Sequence, residues 1–569
     1  MTTLQFDFNK DSTIFINPIK IIEAYTIDQV VPALKQIQEA IENGFYAAGF
    51  LSYEAAPAFE PSMKVRESTS MPLLWFGIFD NTSDDEIKKS DGSFYISDWV
   101  PNTSMDHYYQ SIHKIKDAIY HGNSYQVNYT LRMSANFQGD TFSFYQKLAT
   151  SQSANYSAFL DIGDFKILSA SPELFFHLKD GKLTTKPMKG TIGRGKTLEE
   201  DRENAEWLYH SEKNRAENVM IVDLLRNDLG MIAKPGTVSV PELFSIEEYP
   251  TVYQMTSTVT SEIDEDKGIL DIFKALFPCG SITGAPKIST MDIIHELETT
   301  PRQVYCGAIG FITPNKEAIF NVPIRTVIID SNGNATYGVG GGITWDSNEA
   351  EEYEEVLTKA KILSKSRQDI QLIETIGLKE GRLLLLDNHM ERLKNSAGYF
   401  NFTYDLVSIK ERVLNIADKY QVGNWRIRIL LDKVGKFSLD IIPEEPIENY
   451  DVALAKSPIN QHDIFLYHKT TNRTIYDRNL RSFPHVFDVL LWNEAGEITE
   501  FTRGNVVVEL EGKLYTPPVT CGLLAGTYRK SLLDQGIIKE RIILVRELEN
   551  CSRIWFINSV KEWVEVQLI

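Results

Sequence analysis

The stretch Tyr156–Pro187, YSAFLDIGDFKILSASPELFFHLKDGKLTTKP, runs directly into Met188-Lys189-Gly190-Thr191. Short apolar runs are separated by turn signals at Gly163-Asp164 and Asp180-Gly181, so the stretch reads as successive strands joined by tight turns. Lys189 falls between two expected strands and beside a glycine, the residue that opens backbone conformations closed to others. A lysine so placed is a candidate nucleophile; the plainer reading is a surface lysine beside a turn.

Outward from this stretch the same mixture continues. GFYAAGFLSYEAAPAF (Gly44–Phe59) and MPLLWFGIFD (Met71–Asp80) predict sheet with irregular connections over the first hundred residues. Ser104 to Tyr120 reads as a helix with Ile112, Ile115 and Ile119 on one face and Ser104 as N-cap. Leu198–Leu225 is a helical pattern, with further helices at Ile269–Phe277, Ile288–Leu297 and Ala350–Leu363. Strands are expected at Val304–Phe311 and Ile324–Ile329. There is no regular βαβ repeat, which argues for a large α+β domain over residues 1–366. The polar run Ser364-Lys365-Ser366-Arg367-Gln368-Asp369 is the expected boundary. A second α+β unit, 371–569, opens with the strand LIETIGL, a turn at Glu380-Gly381, the strand RLLLL and a helix from Asp387. Further strands follow at Trp425–Leu431, Phe437–Ile442, Val506–Leu510 and Ile554–Asn558.

The bulk numbers agree with two domains. A chain of 569 residues exceeds what one core usually supports. A formal net charge of −20 disfavours nonspecific binding to nucleic acid or to an anionic membrane. The four cysteines, Cys279, Cys306, Cys521 and Cys551, form no Cys-x-x-Cys pair, so neither a zinc site nor a disulfide framework is indicated. No secretory leader or membrane-length apolar run is visible. A reduced, cytoplasmic setting is the expectation.

Polar motifs cluster in the first domain. Ser171-Pro172-Glu173 precedes a strand. Glu212 and Glu217 lie on a helix whose Val219, Met220, Val222 and Leu225 are expected to be buried. Glu351, Glu352, Glu354 and Glu355 open a later helix, and Glu355 stands four residues before Lys359, so the two share a face. These carboxylates read either as solvated helix faces with a surface ion pair or as a Mg²⁺ site built from two helices. CGSITGAPK (Cys279–Lys287) and YGVGGGITWDS (Tyr337–Ser347) are glycine-rich elements entering helices, suited to close backbone approach by a ligand. Neither has the pattern of a nucleotide P-loop.

In this order the motifs YQVNYT (Tyr125–Thr130), SPELF, KPMKGT, AENVMIVDLLRNDLG, GSITGAPK, YCGAIG (Tyr305–Gly310), IRT (Ile324–Thr326) and GGGITWDSNEAEEYEEVLTKA resemble those of the chorismate-utilising enzymes. GFLSYEAAPAFE resembles the aminodeoxychorismate synthase branch. The resemblance implies a sheet-rich α+β fold with extensive, mostly antiparallel sheet. It implies Mg²⁺ held by Glu217 and Glu355, and Lys189 as nucleophile toward C2 of chorismate. Glu173 would act at the leaving hydroxyl and Lys359 in a substrate or acid–base role. Arg325, Thr283, Gly340 and Gly341 would bind substrate. Anthranilate synthases carry alanine where this chain has Lys189; aminodeoxychorismate synthases carry lysine in Pro-Ile-Lys-Gly-Thr, from which Met188 is a modest departure. None of the four cysteines resembles a glutaminase nucleophile elbow, so ammonia is expected from a separate glutamine amidotransferase subunit.

The second unit resembles the fold-type IV pyridoxal-phosphate enzymes, nearest the aminodeoxychorismate lyases. The motifs are LIETIGLKEGRLLLLDNHMERLKNSA, HKTTNR, DVLLWNEAGEITEFTRGNVVVELEGKLYTPP and GLLAGTYR. The resemblance implies that Lys469 forms the Schiff base with pyridoxal 5'-phosphate and that Glu500 holds the pyridine nitrogen. Arg392, Gly526 and Thr527 would meet the phosphate. Asn505 would play a supporting role. The strands that usually precede the Glu-Thr-Ile element are missing, so either the linker region contributes unusual packing or this half is abbreviated. Dimerisation is a family expectation. The readings left open are a synthase–lyase making 4-aminobenzoate, a synthase with a structural or docking C-terminal domain, and an anthranilate-type synthase.

Overall fold

The computed structural model describes residues 2–9, 11–67, 71–83, 92–152, 154–264, 266–361, 363, 370–444 and 449–569. The expected boundary run Ser364–Asp369 lies outside the described residues. The chain divides into two compact units, Met1–Arg194 with Ala205–Arg367, and Gly195–Asn204 with Gln368–Ile569. No helix among the described residues is long and apolar enough to cross a membrane.

The first unit contains two ten-stranded sheets. One carries Gln126–Gly139 beside Asn334–Ile343 and continues through Thr326–Asp330 and Phe165–Ser171 to the N-terminal strands. The other carries Met188–Gly193 at one end, followed by Val252–Glu262, Lys182–Lys186 and Leu174–Lys179. The quoted stretch thus splits between the sheets: Phe165–Ser171 belongs to the first and Leu174–Lys179 to the second. The sheets pack face to face through Leu4, Phe6, Leu160, Ile167, Phe50 and Trp75, while helices cover their outer faces. Strand alternation explains this layering, because successive side chains serve opposite faces and both faces here are apolar.

Two local readings change. Ile27–Glu42 is a helix of 16 residues within the region expected to be sheet and irregular connections. Its buried Val30, Leu34, Ile37 and Ile41 keep helical spacing, and Pro32, which reads as a breaker, sits near its start. The pattern Leu198–Leu225 is two helices, Leu198–His210 and Glu212–Gly230, separated by Ser211, whose hydroxyl caps the second by accepting from Asn214 N. On that second helix the buried stripe is Asn218, Ile221, Val222, Leu225 and Leu229. Val219 falls off the stripe and is 38% exposed, against the expectation of burial. Ser104 does cap Met105–Tyr120.

The second unit has a four-stranded antiparallel sheet and an eight-stranded mixed sheet. In the smaller sheet Leu372–Lys379 pairs with Asn424–Leu431 on one side and with the short Arg382–Leu383 on the other. The expected strand RLLLL therefore shortens to two residues, because the helix Leu386–Phe400 begins at once. That helix packs its Met390, Leu393 and Ala397 on the sheet.

Candidate active sites

Lys189 sits inside the strand Met188–Gly193 rather than between strands. Met188 faces Thr256 and Thr191 faces Gln254, so Lys189 and Gly190 together oppose one residue of the partner strand. This is a β-bulge, and Gly190 supplies its left-handed backbone with φ +89°. A bulge re-aims the side chain that it carries. Lys189 is partly buried, and burial lowers its ammonium pKa while Glu217 and Glu173 pull it back up.

The surface facing Lys189 is backbone. Asn334–Ile343 pairs with Gln126–Gly139, setting Gly340, Gly341 and Gly342 opposite Thr130, Tyr129 and Asn128. A Cβ on Gly340 would stand 2.2 Å from Tyr129 O. A Cβ on Gly342 would stand 2.0 Å from Gln126 Nε2 and 3.3 Å from Lys189 Nζ. A Cβ on Gly341 would approach Glu352 Oε2 at 3.4 Å and Lys359 Nζ at 3.8 Å. Lys359 Nζ donates to Gly340 O at 2.9 Å and pairs with Glu355 Oε1 at 2.7 Å. The glycine run therefore brings Lys189, Lys359, Gln126, Glu352 and Glu355 around one strip of strand.

Glu173 is 3% exposed, and its Oε1 has no hydrogen-bond partner among the described residues. Burial pushes its carboxyl pKa up to about 7, against the opposing pull of Ser281, Lys189 and Arg325. Such a group can hold or release a proton near neutral pH. Arg325 adopts φ +52°, uncommon for a side chain of its size, and donates to Gln152 Oε1 at 2.8 Å. Burial lowers its pKa. Thr283 is fully buried with its hydroxyl turned back to Cys279 O and Gly280 O, so that hydroxyl is engaged by its own turn.

Glu217 and Glu355 come from different helices, Glu212–Gly230 and Glu349–Lys361. Burial raises the Glu217 pKa; Lys189 and Lys213 oppose it, and Glu355 adds to it. Lys359 is the main cause of the lowered Glu355 pKa. Among the described residues no three potential ligands group tightly enough to hold a metal by themselves. The donors are nonetheless all carboxylates that sense one another, which fits a hard cation that keeps waters and takes a further oxygen from substrate. Sequence reasoning assigned no role to Gln126 and gave Glu352 only as one of several candidate carboxylates on its helix. Both stand in motifs quoted above. The signal for Gln126 is its burial at 1% with neither amide atom bonded among the described residues. For Glu352 it is a carboxylate held by Ser347 Oγ at 2.7 Å beside Gly341.

In the second unit a cavity of about 680 Å³ is lined by Lys469, Glu500, Asn505, Arg392, Gly526 and Thr527, among others. That volume suits a cofactor-sized ligand. Burial pulls the Lys469 pKa down to about 8, with Arg392 and Arg473 adding and Glu374 and Glu500 opposing. Glu500 is 3% exposed; it accepts from Tyr476 OH at 2.8 Å and Leu524 N at 3.1 Å, and burial pushes its pKa up to about 8.

Arg392 is fixed by two bonds to buried Glu374, Nε to Oε1 at 2.8 Å and Nη2 to Oε2 at 2.7 Å. Burial opposes ionisation of Glu374, but Arg392 and His389 outweigh it and hold its pKa at about 2. His389 joins Glu374 at 2.6 Å through Nδ1 and Thr527 Oγ1 at 3.3 Å through Nε2. Gly526 caps the helix Thr527–Asp534, and a Cβ there would stand 1.9 Å from Asn505 Oδ1. Asn505 in turn donates to Leu524 O at 2.9 Å and to Glu500 Oε2 at 3.3 Å. Asn505 thus ties the carboxylate to the glycine turn. An arginine, a hydroxyl and a helix N-terminus at one end suit a phosphate, and a buried lysine and carboxylate suit the rest of pyridoxal phosphate.

With this geometry the chain belongs to the chorismate binding enzyme family, which it matches over residues 3–365. Residues 371–569 match the amino-transferase class IV family. Aminodeoxychorismate synthase component 1 of Salmonella typhimurium is 41% identical over 263 residues, covering 46% of this chain and 58% of that one. Anthranilate synthase component 1 of Aquifex aeolicus is 37% identical over 268 residues, covering 47% of this chain and 54% of that one. The chain spans less than two thirds of the length of these relatives. The crystal structure of anthranilate synthase component I from Streptococcus pneumoniae aligns with a TM-score of 0.54 and 27% identity, over 63% of this chain and 92% of that one.

Proposed function

We propose that this chain makes 4-aminobenzoate from chorismate in two steps, an amination in the first unit and an elimination of pyruvate in the second. The observation that carries the reading is the presence of two partly buried lysines, Lys189 and Lys469, each with its ammonium pKa lowered by burial and each within a stretch that resembles a family motif. A lysine must lose its proton to act as a nucleophile, and desolvation favours the neutral amine.

In the first step the Lys189 amine attacks C2 of chorismate. The ring double bonds shift, the C4–O bond breaks, and Glu173 gives its proton so that the hydroxyl leaves as water. Ammonia then adds at C4, the double bonds return, the C2–N bond breaks to restore Lys189, and the proton shed by the new amine returns to Glu173. The hard substitution is split into two easier ones. Glu217 and Glu355 would hold Mg²⁺, which when bound anchors and polarises one substrate carboxylate. Arg325 and the Gly340–Gly342 backbone orient the substrate, and Lys359 supplies positive charge beside it. Ammonia would come from a separate glutaminase subunit. Burial pushes the thiols of Cys279 and Cys306 up to about 12 and 11, which makes them poor nucleophiles.

In the second step pyridoxal phosphate would supply an electron sink for the charge left at C4. Arg392, Thr527 and the Gly526 turn would hold its phosphate, and Glu500 its ring nitrogen. Lys469 takes the C4 proton of the aminated ring, the C3–O bond breaks with its electron pair on oxygen, and the enolpyruvate so released takes up a proton to become pyruvate as the ring becomes aromatic.

The test is product analysis of the purified chain with chorismate, Mg²⁺, ammonium salt and pyridoxal phosphate. Wild type is expected to give 4-aminobenzoate and pyruvate, Lys469→Ala to stop at aminodeoxychorismate, and Lys189→Ala to give neither. Unchanged products from Lys469→Ala would instead favour a structural second unit.

A further inference from the structure

The charges lining the cavity of the second unit do not balance, and the imbalance has a location. Its acidic residues have partners: Glu444 pairs with Lys561 at 3.0 Å, Asp477 with Arg473 at 3.7 Å, and Glu500 accepts from Tyr476. Of the remaining cations, Arg392 is held by Glu374 and Arg503 by Asp488 at 3.1 Å. Besides Lys469, that leaves Arg426 and Arg428. Both are paired through their backbone in the sheet, but the side chain of neither makes a hydrogen bond or ion pair with a described residue.

Both arginines lie on the strand Asn424–Leu431, two residues apart, and both line the cavity. Alternation sends the intervening Ile427 and the following Ile429 into the core, each 0% exposed. Thr375, opposite Arg428 on the neighbouring strand, lines the cavity too. On the other side Arg428 stands opposite Asp440, yet the two form no ion pair. Two like charges rooted roughly 7 Å apart on one strand face repel each other unless an anion lies between or over them. A guanidinium fork matches a carboxylate with two parallel hydrogen bonds, and one carboxylate fully engages only one fork.

We propose that Arg426 and Arg428 are the substrate-reading wall of this cavity and that its amine substrate carries two carboxylates, one for each arginine. The inference rests on the elimination reading for the chemistry of the substrate and deepens it by assigning the residues that select a dianion. Lys469, Arg392, Gly526 and Thr527 are assigned to the cofactor in that reading, and the two arginines provide the only unneutralised positive charge among the remaining described lining residues. A substrate with a single carboxylate would leave one arginine without a counter-charge.

The test compares isophthalate, with two ring carboxylates, against benzoate, with one. Each is titrated calorimetrically into the full chain, with and without pyridoxal phosphate, for wild type, Arg426→Gln, Arg428→Gln and the double variant. Comparison with the double variant removes binding elsewhere in the chain. In the loaded chain the cofactor's visible absorption reports the same binding at this cavity alone. Wild type is expected to bind isophthalate at least ~10-fold more tightly than benzoate, each single variant to lose ~10-fold for isophthalate, and the double variant to lose the preference. Thermal midpoints of the variants close to wild type identify the loss as one of binding. The proposal is overturned if the double substitution weakens isophthalate no more than benzoate. A chain that takes up no pyridoxal phosphate contradicts the elimination reading instead, and the calorimetric difference still decides the role of the arginines.

Discussion

The two lysines are shifted by the same force and surrounded by opposite neighbours. Burial lowers the pKa of both, but the largest charge effects on Lys189 come from Glu217 and Glu173, which favour its charge ahead of the opposing Lys359, whereas those on Lys469 come from Arg392 and Arg473, which disfavour it ahead of the opposing Glu374 and Glu500. The supports differ as well. Lys189 is aimed by a backbone bulge across a floor of glycines, with its acidic partners brought by separate strands and helices. The Lys469 cavity is a bonded lattice in which Glu374 fixes Arg392, His389 reaches Thr527, and Asn505 joins Glu500 to the glycine turn. The first arrangement suits a nucleophile that must carry a proton at one stage and lose it at another. The second suits a lysine whose task is to hold a cofactor and then move one proton.

This contrast is open to breakage at several points. The largest effects belong to the lysines themselves. Lys189→Ala is expected to reduce amination by ~10³-fold while leaving uptake of pyridoxal phosphate intact, and Lys469→Ala to do the reverse for elimination. Separate assays of the two half-reactions check this, and a variant that impairs both would show that the units are not chemically distinct. Next in size is Glu173. As a proton donor it must be protonated, so with a pKa of about 7 the amination rate at fixed free ammonia should fall as pH rises above that value. Glu173→Gln should cost ~10²-fold and abolish the falling limb.

Gly526→Ala sharpens the account of the second site. Its Cβ would collide with Asn505 Oδ1 at 1.9 Å, and affinity for pyridoxal phosphate, measured by titration of the visible band, should fall ~10-fold. The smallest effect concerns Glu500. Its folded-state pKa of about 8 lies above the ordinary 4.5, so the folded, cofactor-free chain binds the extra proton. The resulting stability is fully present below about pH 4.5 and is lost as pH rises through about 8. The thermal midpoint of the second unit should drift down over that window, and Glu500→Gln should flatten the drift.

The strands were the most legible part of this fold, because apolar runs such as those of Tyr156–Pro187 are broken by turn residues whose chemistry is local. The helix Ile27–Glu42 was not legible, since Pro32 signals a break and the stripe of Val30, Leu34, Ile37 and Ile41 becomes decisive only against a sheet. Ser211 was similarly hidden inside a pattern that reads as continuous. At the sites, the lysines and the Glu217–Glu355 pair could be named from the motifs that carry them. The parts played by Glu374, His389 and Asn505 could not, because each acts on a group distant in sequence: Glu374 on Arg392, His389 on Thr527, Asn505 on Leu524 O. Contacts of that kind leave no periodicity to read.

The central claim is that amination and elimination proceed on one chain, each governed by its own lysine. It is tested most directly by supplying the wild-type chain with chorismate, Mg²⁺, pyridoxal phosphate and nitrogen-15 ammonium, and identifying the products by mass spectrometry. The account predicts 4-aminobenzoate carrying one heavy nitrogen, with an equal amount of pyruvate. Labelled anthranilate, or labelled aminodeoxychorismate that persists in the presence of the cofactor, would contradict it.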